Sequence, residues 1–155
     1  MPRKLPYREG QAFEVTMRSG NIGIGVIARM APKGKLLLGY FFRPNDEAPD
    51  RLLASLRPSD AVMVGMFGDL HLFDGKWKVI GDLPNWDRSR WPVPEFMKRD
   101  PLGMLPDRVV VYDDDDISKP PKWQLRTTIP SGLADDGLMG AGYVELKLQQ
   151  ILDRQ

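Results

Sequence analysis

The chain contains one histidine, His71, and no cysteine. In Asp69-Leu70-His71-Leu72-Phe73, strand-like alternation places His71 on the same face as Asp69, and such a carboxylate can orient an imidazole as a general base. We favour the plainer interpretation of a surface histidine beside a turn. The missing cysteines exclude disulfides, thiol nucleophiles and cysteine-ligated metals, and a single histidine excludes a metal site built on several histidines.

Four consecutive carboxylates, Asp113, Asp114, Asp115 and Asp116, form the sharpest charge feature. Carboxylate oxygens are ligands for hard cations such as Ca²⁺ or Mg²⁺. Adjacent side chains point in different directions, however, and EF-hand spacing is missing, so a solvated loop at a strand end is favoured over a metal site. A third interpretation is a negative patch for a basic protein surface, because acidic clusters steer association. We expect no bound metal or cofactor.

Tryptophan and arginine side chains are concentrated in the proline-rich segment 82–107. Four of them, Trp86, Arg88, Arg90 and Trp91, lie within six residues of one another. With Trp123 they could form a stacking and cation–π surface for a sugar, a base or a protein partner. Tryptophans in a proline-rich loop more often attach that loop to the core. Trp86 and Trp91 remain candidate partner contacts, because Trp and Arg are enriched at interface hot spots.

The glycines of Ser19–Gly25 (SGNIGIG) only superficially resemble a phosphate-binding loop. A dinucleotide-binding motif needs its glycines between a strand and a helix, whereas a β-branched run and Pro32 follow here. Glycines inside a strand, which leave room for close packing, explain them better. The remaining carboxylates are scattered without a distinct pair. The chain is therefore poor in catalytic groups, and we expect no enzyme activity.

Composition and charge narrow the class of protein further. A chain of 155 residues can bury a core of its own, and we expect a single domain over residues 1–155. Its 22 basic and 21 acidic residues give a net charge of +1, so no global field attracts nucleic acid or an anionic membrane. We expect neither a secretory signal nor a membrane span, and a cytoplasmic location.

Hydrophobic periodicity predicts the elements that position these side chains. Three strands of an antiparallel meander are predicted over Gln11–Met17, Ile22–Arg29 and Leu36–Phe42, and a short helix within Asp46–Leu56. The other predictions are a strand at Ala61–Phe67, a hairpin of Leu70–Phe73 with Trp77–Ile80, an ordered irregular loop at 82–107, a strand at Arg108–Tyr112 and a helix at Tyr143–Leu152. Together they predict an α+β fold: a strongly bent antiparallel sheet, up to a barrel-like form, with a short middle helix and a C-terminal helix.

The segment Gly75–Pro84 (GKWKVIGDLP) combines a tight turn, a short buried strand beginning at Trp77, and an exit marked by proline. Other distinctive pieces occur in a fixed order around it. They are Gly10–Val15, the glycine-rich strand ending near Arg29, Lys35–Phe42, Pro94-Glu95-Phe96, Tyr112-Asp113 and Gly142-Tyr143-Val144-Glu145. In order and spacing they resemble the immunity protein 26 family of bacterial polymorphic-toxin systems. The resemblance extends over most of the chain and is weakest over residues 113–140.

This resemblance implies a protein that neutralises a cognate toxin by binding it stoichiometrically, without chemistry. On that basis we hypothesise that Asp113–Asp116 face a basic cleft of the toxin, with Asp46, Glu47 and Asp50 as a second acidic group. Such a cleft would be natural in a nuclease. The alternative is a small-molecule or nucleic-acid binding module that uses the loop 82–107. The sequence leaves the toxin's identity and the oligomeric state open.

Overall fold

The computed structural model describes residues 4–154, which form two sheets and three α-helices. In chain order the strands are β1 (Gln11–Thr16), β2 (Ile22–Met30), β3 (Leu36–Phe42), β4 (Met63–Gly68), β5 (Val79–Asp82), β6 (Phe96–Lys98), β7 (Arg108–Val111), β8 (Lys122–Gln124) and β9 (Leu138–Met139). The helices are α1 (Pro49–Ser55), α2 (Leu70–Phe73) and α3 (Ala141–Asp153), with 3₁₀ turns at Pro58–Asp60 and Arg88–Arg90.

The larger sheet has the strand order β5-β1-β2-β3-β4-β9, and the smaller sheet has the order β6-β7-β8. Neighbouring strands are antiparallel except β4 and β9, which run parallel. The α+β prediction, with a short middle helix and a C-terminal helix, is confirmed. The strongly bent, barrel-like form is wrong, because no sheet is closed or strongly curled. Closure needs the two edges to pair, and here the edge strands β5 and β9 have only four and two residues.

The first three strands form the predicted antiparallel meander. Their pairing is irregular between Ile27 and Arg29 of β2, where Arg29 aligns with Leu38 of β3. A β-bulge of this kind adds one residue to one strand and re-aims the side chain beyond it. Arg29 therefore shares a face with Val26 and Ala28, whereas strict alternation along β2 would place it on the opposite face with Ile27.

Apolar side chains cover both faces of the larger sheet. The first face packs against Leu52 of α1 and Trp91 of the segment before the smaller sheet. It also packs against Phe96 and Val110 of the smaller sheet. On the second face, the packed residues include Leu72, Trp77, Val144 and Leu148. Strands buried on both sides have near-continuous apolar sequences, which explains IGIGVIARM in β2 and LLLGYFF in β3.

Gly25 of β2 leaves room for a close aromatic contact. A Cβ atom at this position would lie 2.2 Å from Cζ of Phe13. The ring of Phe13 in turn stacks on Trp77, with centroids 5.6 Å apart and an interplanar angle of 15°. Gly25 therefore has the packing role predicted for the glycines of this strand.

The predicted hairpin of Leu70–Phe73 with Trp77–Ile80 is wrong. Residues 70–73 form the helical turn α2, and β5 pairs with β1 instead. Leu72 of this turn is buried in the second core together with Trp77. Packing and pairing with distant strands outweighed the local turn signal at Asp74-Gly75.

The proline-rich segment 82–107 is ordered and irregular, as predicted. It contains the 3₁₀ turn Arg88–Arg90 and the three-residue strand β6, which lies at the edge of the smaller sheet. Edge positions tolerate nearby prolines. Trp91 packs edge-on against Tyr40, with ring centroids 5.1 Å apart, and so attaches the segment to the first core.

Helix α3 confirms the predicted C-terminal helix and is slightly longer than expected. Val144 and Leu148 are buried on its inner face, as the helical spacing of apolar residues predicted. None of the helices within residues 4–154 has the length and apolar character needed to cross a membrane.

Candidate functional site

The four consecutive aspartates lie in the loop between β7 and β8, and two of them bind the loop's own backbone. Oδ1 of Asp113 accepts hydrogen bonds from the N–H groups of Asp115 and Asp116, at 2.9 Å each. Those hydrogen bonds hold the pKa of Asp113 below its usual range. Oδ1 of Asp116 accepts from the N–H of Ser118 at 3.0 Å. Both carboxylates thus stabilise turns, a common role of aspartate.

Asp114 is the counter-ion of a buried arginine. Nη2 of Arg29 lies 2.7 Å from Oδ1 of Asp114, and the two side chains are 3% and 61% exposed. The same guanidinium donates to four backbone carbonyls, those of Ala28, Trp91, Arg88 and Asp114, at 2.6, 3.1, 3.1 and 3.3 Å. Arg29 therefore joins β2, the segment 88–91 and the acidic loop. We call Arg29 together with Asp113–Asp116 the acidic junction.

Arg88 closes the acidic junction from the solvent side. Its Nη2 donates to the backbone carbonyl of Asp114 at 3.1 Å and lies 3.3 Å from Glu9. Nη1 of Arg88 lies 3.5 Å from Oδ1 of Asp115, whose side chain is 90% exposed. Asp115 is therefore the carboxylate of the run that is most available to a partner. No group of three or more His, Cys, Asp or Glu side chains in residues 4–154 is arranged to hold a metal ion.

The second predicted acidic group, Asp46, Glu47 and Asp50, lies in the β3–α1 connection and at the start of α1, with all three residues exposed. Asp46 and Glu47 line a hollow of about 410 Å³, together with Glu14 of β1. We call Glu14, Asp46 and Glu47 the acidic hollow. Apolar side chains on its lining are Ile22, Ile24, Leu52 and Ile80. Within the described chain, no cationic side chain forms an ion pair with any of these carboxylates.

The two acidic groups lie at opposite ends of β2. Ile24 lines the acidic hollow, whereas Arg29 holds the acidic junction. At roughly 3.3 Å per residue these two strand positions are about 16 Å apart. The structure therefore does not merge the carboxylates into one patch. An interface on the order of 800 Å² per partner is nevertheless wide enough to cover both.

The two tryptophans of the predicted partner surface differ in exposure. Trp91 is buried at 4% exposure, and its ring centroid lies 5.8 Å from that of Trp86. Trp86 is half-buried, and its Nε1 donates to Glu9 at 3.0 Å. Gly10 makes this position possible, because a Cβ atom there would lie 2.9 Å from Cγ of Trp86. Trp86 is therefore the tryptophan of the pair that has surface to offer.

A groove of about 600 Å³ runs beside Trp86, between the C-terminal end of α1 and the segment 83–91. Its apolar lining includes Leu53, Leu56 and Leu83, and its charged residues are Arg57, Asp87 and Arg90. Neither arginine lies within ion-pair distance of a carboxylate in residues 4–154. We call Trp86, Arg57 and Arg90 the arginine–tryptophan groove.

His71 lies on α2 and does not pair with Asp69, so the alternative of a general base oriented by Asp69 is not supported. The favoured interpretation, a surface histidine beside a turn, is wrong in its exposure, because the side chain is only 13% exposed. Its Nδ1 is 3.1 Å from Oδ2 of Asp74, and its ring packs edge-on against Trp77 at 5.5 Å. Asp69 instead accepts from the hydroxyl of Tyr7 at 2.6 Å and from a backbone N–H. The helical turn explains the change, because residues two apart in a helix do not face each other.

Arg29 is the residue that sequence reasoning missed. Its sequence signal was a charged residue near the end of the otherwise apolar strand IGIGVIARM. A charge in such a run is costly to bury unless it is paired. That argument requires a counter-ion, but it cannot choose Asp114 among the many acidic residues of the chain.

In a comparison with protein-family models, residues 8–104 match the model of immunity protein 26. These residues include β1 to β6, the acidic hollow and the arginine–tryptophan groove. The acidic run, β7, β8 and α3 lie beyond them, as do the pieces at Tyr112-Asp113 and Gly142–Glu145 that carried part of the resemblance. Comparison with curated proteins and with solved structures gave no match.

Proposed function

This chain belongs to the immunity protein 26 family, and we propose that it neutralises one cognate toxin by forming a stoichiometric complex with it. The family implies a toxin partner and inhibition that is typically not enzymatic. The finer proposal concerns the surface that meets the toxin and the kind of toxin that fits it. In this proposal residues 1–155 act as one domain.

The acidic hollow is the observation that carries the proposed interface. Its three carboxylates surround a concave surface, have no cationic partner in the described chain, and lie within the segment that matches the family model. Solvent-exposed carboxylates of this kind lose little hydration free energy when they pair with a basic side chain at the surface. Their negative charge also speeds association with a basic surface. Asp50 on α1 extends the same negative potential.

Asp115 supplies a second point of contact at the other end of β2. Its side chain is almost fully exposed, whereas Asp113, Asp114 and Asp116 already bind the backbone or Arg29. Trp86 lies between these regions in sequence, and the exposed part of its indole is available to contact the toxin. The proposed toxin surface is therefore basic, as in a nuclease, whose cleft carries lysine and arginine for phosphate groups.

Co-expression with candidate toxin domains, taken from genes sought beside this one, tests the proposal. We expect the protein to restore growth and to co-purify with the toxin domain as a one-to-one complex. Co-expression with an inactive toxin variant is the control, because it shows how expression of the two proteins affects growth when there is no toxicity to neutralise. Failure of both rescue and complex formation would contradict the proposed function for that toxin.

The arginine–tryptophan groove supports a second candidate, the binding of a small anionic molecule or a nucleic acid. Trp86 has an aromatic face on the groove, and Arg57 and Arg90 add positive charge, although Asp87 attracts Arg90 at longer range than an ion pair. Such groups stack on bases and bind phosphates. A tryptophan-fluorescence titration with nucleotides and sugars tests this candidate, with Trp86→Phe as the control. A response that survives this change would place binding elsewhere.

A further inference from the structure

Large apolar side chains are exposed in and just after strand β8 and in the loop that leads into β7. They are Leu102, Met104, Leu105, Trp123 and Leu125. The β6–β7 loop, residues 99–107, contains the first three and enters β7 at Arg108. Val109 of β7 pairs with Gln124 of β8, so Leu125 follows at the register position beside Arg108. Exposed apolar groups of this kind mark protein interaction sites more often than chance.

Strand β8 is the free edge of this sheet. All three of its residues are exposed, and within the described chain it pairs only with β7. An edge strand presents unpaired backbone N–H and C=O groups to a further strand. Trp123 is held in place from its own sheet, because the guanidinium carbon of Arg108 lies 3.9 Å from its ring centroid. The edge is thus ordered and apolar, with a cation beside it.

The charges along β8 oppose pairing with a second copy of this chain. A two-fold axis at Gln124 would place Lys122 of one copy opposite Arg126 of the other, and like charges directly opposite are destabilising. A two-fold axis at Trp123 would instead place Pro121 of one copy opposite Leu125 of the other, and proline has no N–H to donate to the strand ladder. Glu95 offsets part of the charge of Arg126 through a 2.9 Å hydrogen bond. Lys122 has no ion pair within 4.0 Å in the described chain, and it has a longer-range attraction to Asp113.

We propose that β8 docks an extended segment of the cognate toxin, whose apolar side chains meet Trp123 and Leu125 and whose carboxylate meets Lys122. This inference rests on the proposed function and adds a second contact to it. A partner strand supplies the missing backbone hydrogen bonds, and its alternate side chains reach one face of the sheet. The edge lies outside the residues that match the family model, which suits a contact specific to one toxin.

The test compares two leucines of similar exposure in the complex with the cognate toxin domain. Leu125 on the edge is 69% exposed and Leu70 on α2 is 64% exposed. We expect Leu125→Asp to weaken the affinity about tenfold or more, since it replaces an apolar contact by a charge that loses its hydration in the interface. Leu70→Asp should leave the affinity unchanged. Lys122→Glu reverses an exposed charge and should also weaken the affinity for the toxin, without removing an apolar contact.

Amide hydrogen exchange gives an independent readout. Docking of a strand should slow exchange in residues 122–126 when the toxin domain is added. Equal affinities of Leu125→Asp, Lys122→Glu and Leu70→Asp for the toxin, with the wild-type complex intact, would overturn this inference and leave the proposed function standing. If the wild-type protein forms no complex with the toxin, both this inference and the proposed function would be contradicted. A dimer of the isolated protein that Leu125→Asp dissociates would make a second copy the occupant and overturn the assignment to the toxin.

Discussion

The acidic junction and the acidic hollow contain the same kind of side chain in two different surroundings. In the junction, Asp113 and Asp116 bind backbone N–H groups and Asp114 binds a buried guanidinium. In the hollow, Glu14, Asp46 and Glu47 come from two separate segments and have no ion pair in the described chain. Consecutive aspartates therefore serve mainly the fold, while the dispersed carboxylates keep their charge free for the partner contact that we propose. Charge density along the sequence is a poor guide to charge available for binding.

The largest effect should come from the buried end of the junction. Arg29→Met removes one donor from each of four backbone carbonyls and from the carboxylate of Asp114. Buried acceptors without donors cost about 1–3 kcal/mol each when nothing compensates, and we expect the free energy of unfolding to fall by about 3 kcal/mol. Chemical denaturation measures this change.

Arg57→Met is the matched control for Arg29→Met. Arg57 is exposed and forms no ion pair within residues 4–154, so its loss should change stability by no more than about 0.5 kcal/mol. Equal stabilities of the two variants would show that the junction does not hold the segment 88–91 to the sheet.

The hollow should behave in the opposite way, with little effect on folding and a clear effect on association. We expect Asp46→Asn with Glu47→Gln to leave stability unchanged, and to slow association with the toxin about three- to tenfold at low salt. The salt dependence of the rate should become flatter. Stopped-flow mixing at several ionic strengths measures both quantities.

Asp135→Asn with Asp153→Asn controls for net charge, because it also neutralises two exposed carboxylates. The same slowing in both double variants would mean that overall charge, not the hollow, steers the encounter. Replacing Asp113–Asp116 by asparagines is a less clean test, since it also takes the carboxylate of Asp114 from Arg29.

The smallest effect concerns acid stability at the junction. The pKa of Asp113 is held low by the N–H groups of Asp116 and Asp115. A depressed pKa in the folded state contributes stability above the unfolded value of about 3.9, and this contribution is lost as pH falls through the folded pKa. Asp113→Asn should therefore be slightly less stable at neutral pH. The difference from wild type should shrink below about pH 4, and denaturation at both pH values checks it. A constant difference would exclude this ionisation as the cause.

The local pattern of apolar residues was sufficient to predict several strands and helices. Alternation of Phe13, Val15 and Met17 predicted β1, and the spacing of Val144 and Leu148 predicted α3, because each element buries one face on a regular period. The hairpin prediction at Asp74-Gly75 failed since β5 pairs with β1, which is more than sixty residues away in sequence. A turn signal describes its own neighbourhood and contains no information on such a partner.

The sequence by itself determined the family, the α+β class, the poverty in catalytic groups and the positions of the acidic residues, because composition and period are properties of the chain alone. Only the tertiary structure decided what those acidic residues do. The β-bulge turned Arg29 toward the first core, and its buried charge then required Asp114 as a counter-ion. Folding also brought Glu14 beside Asp46 and Glu47. Both events depend on distances between segments far apart in sequence, and only the folded chain sets those distances.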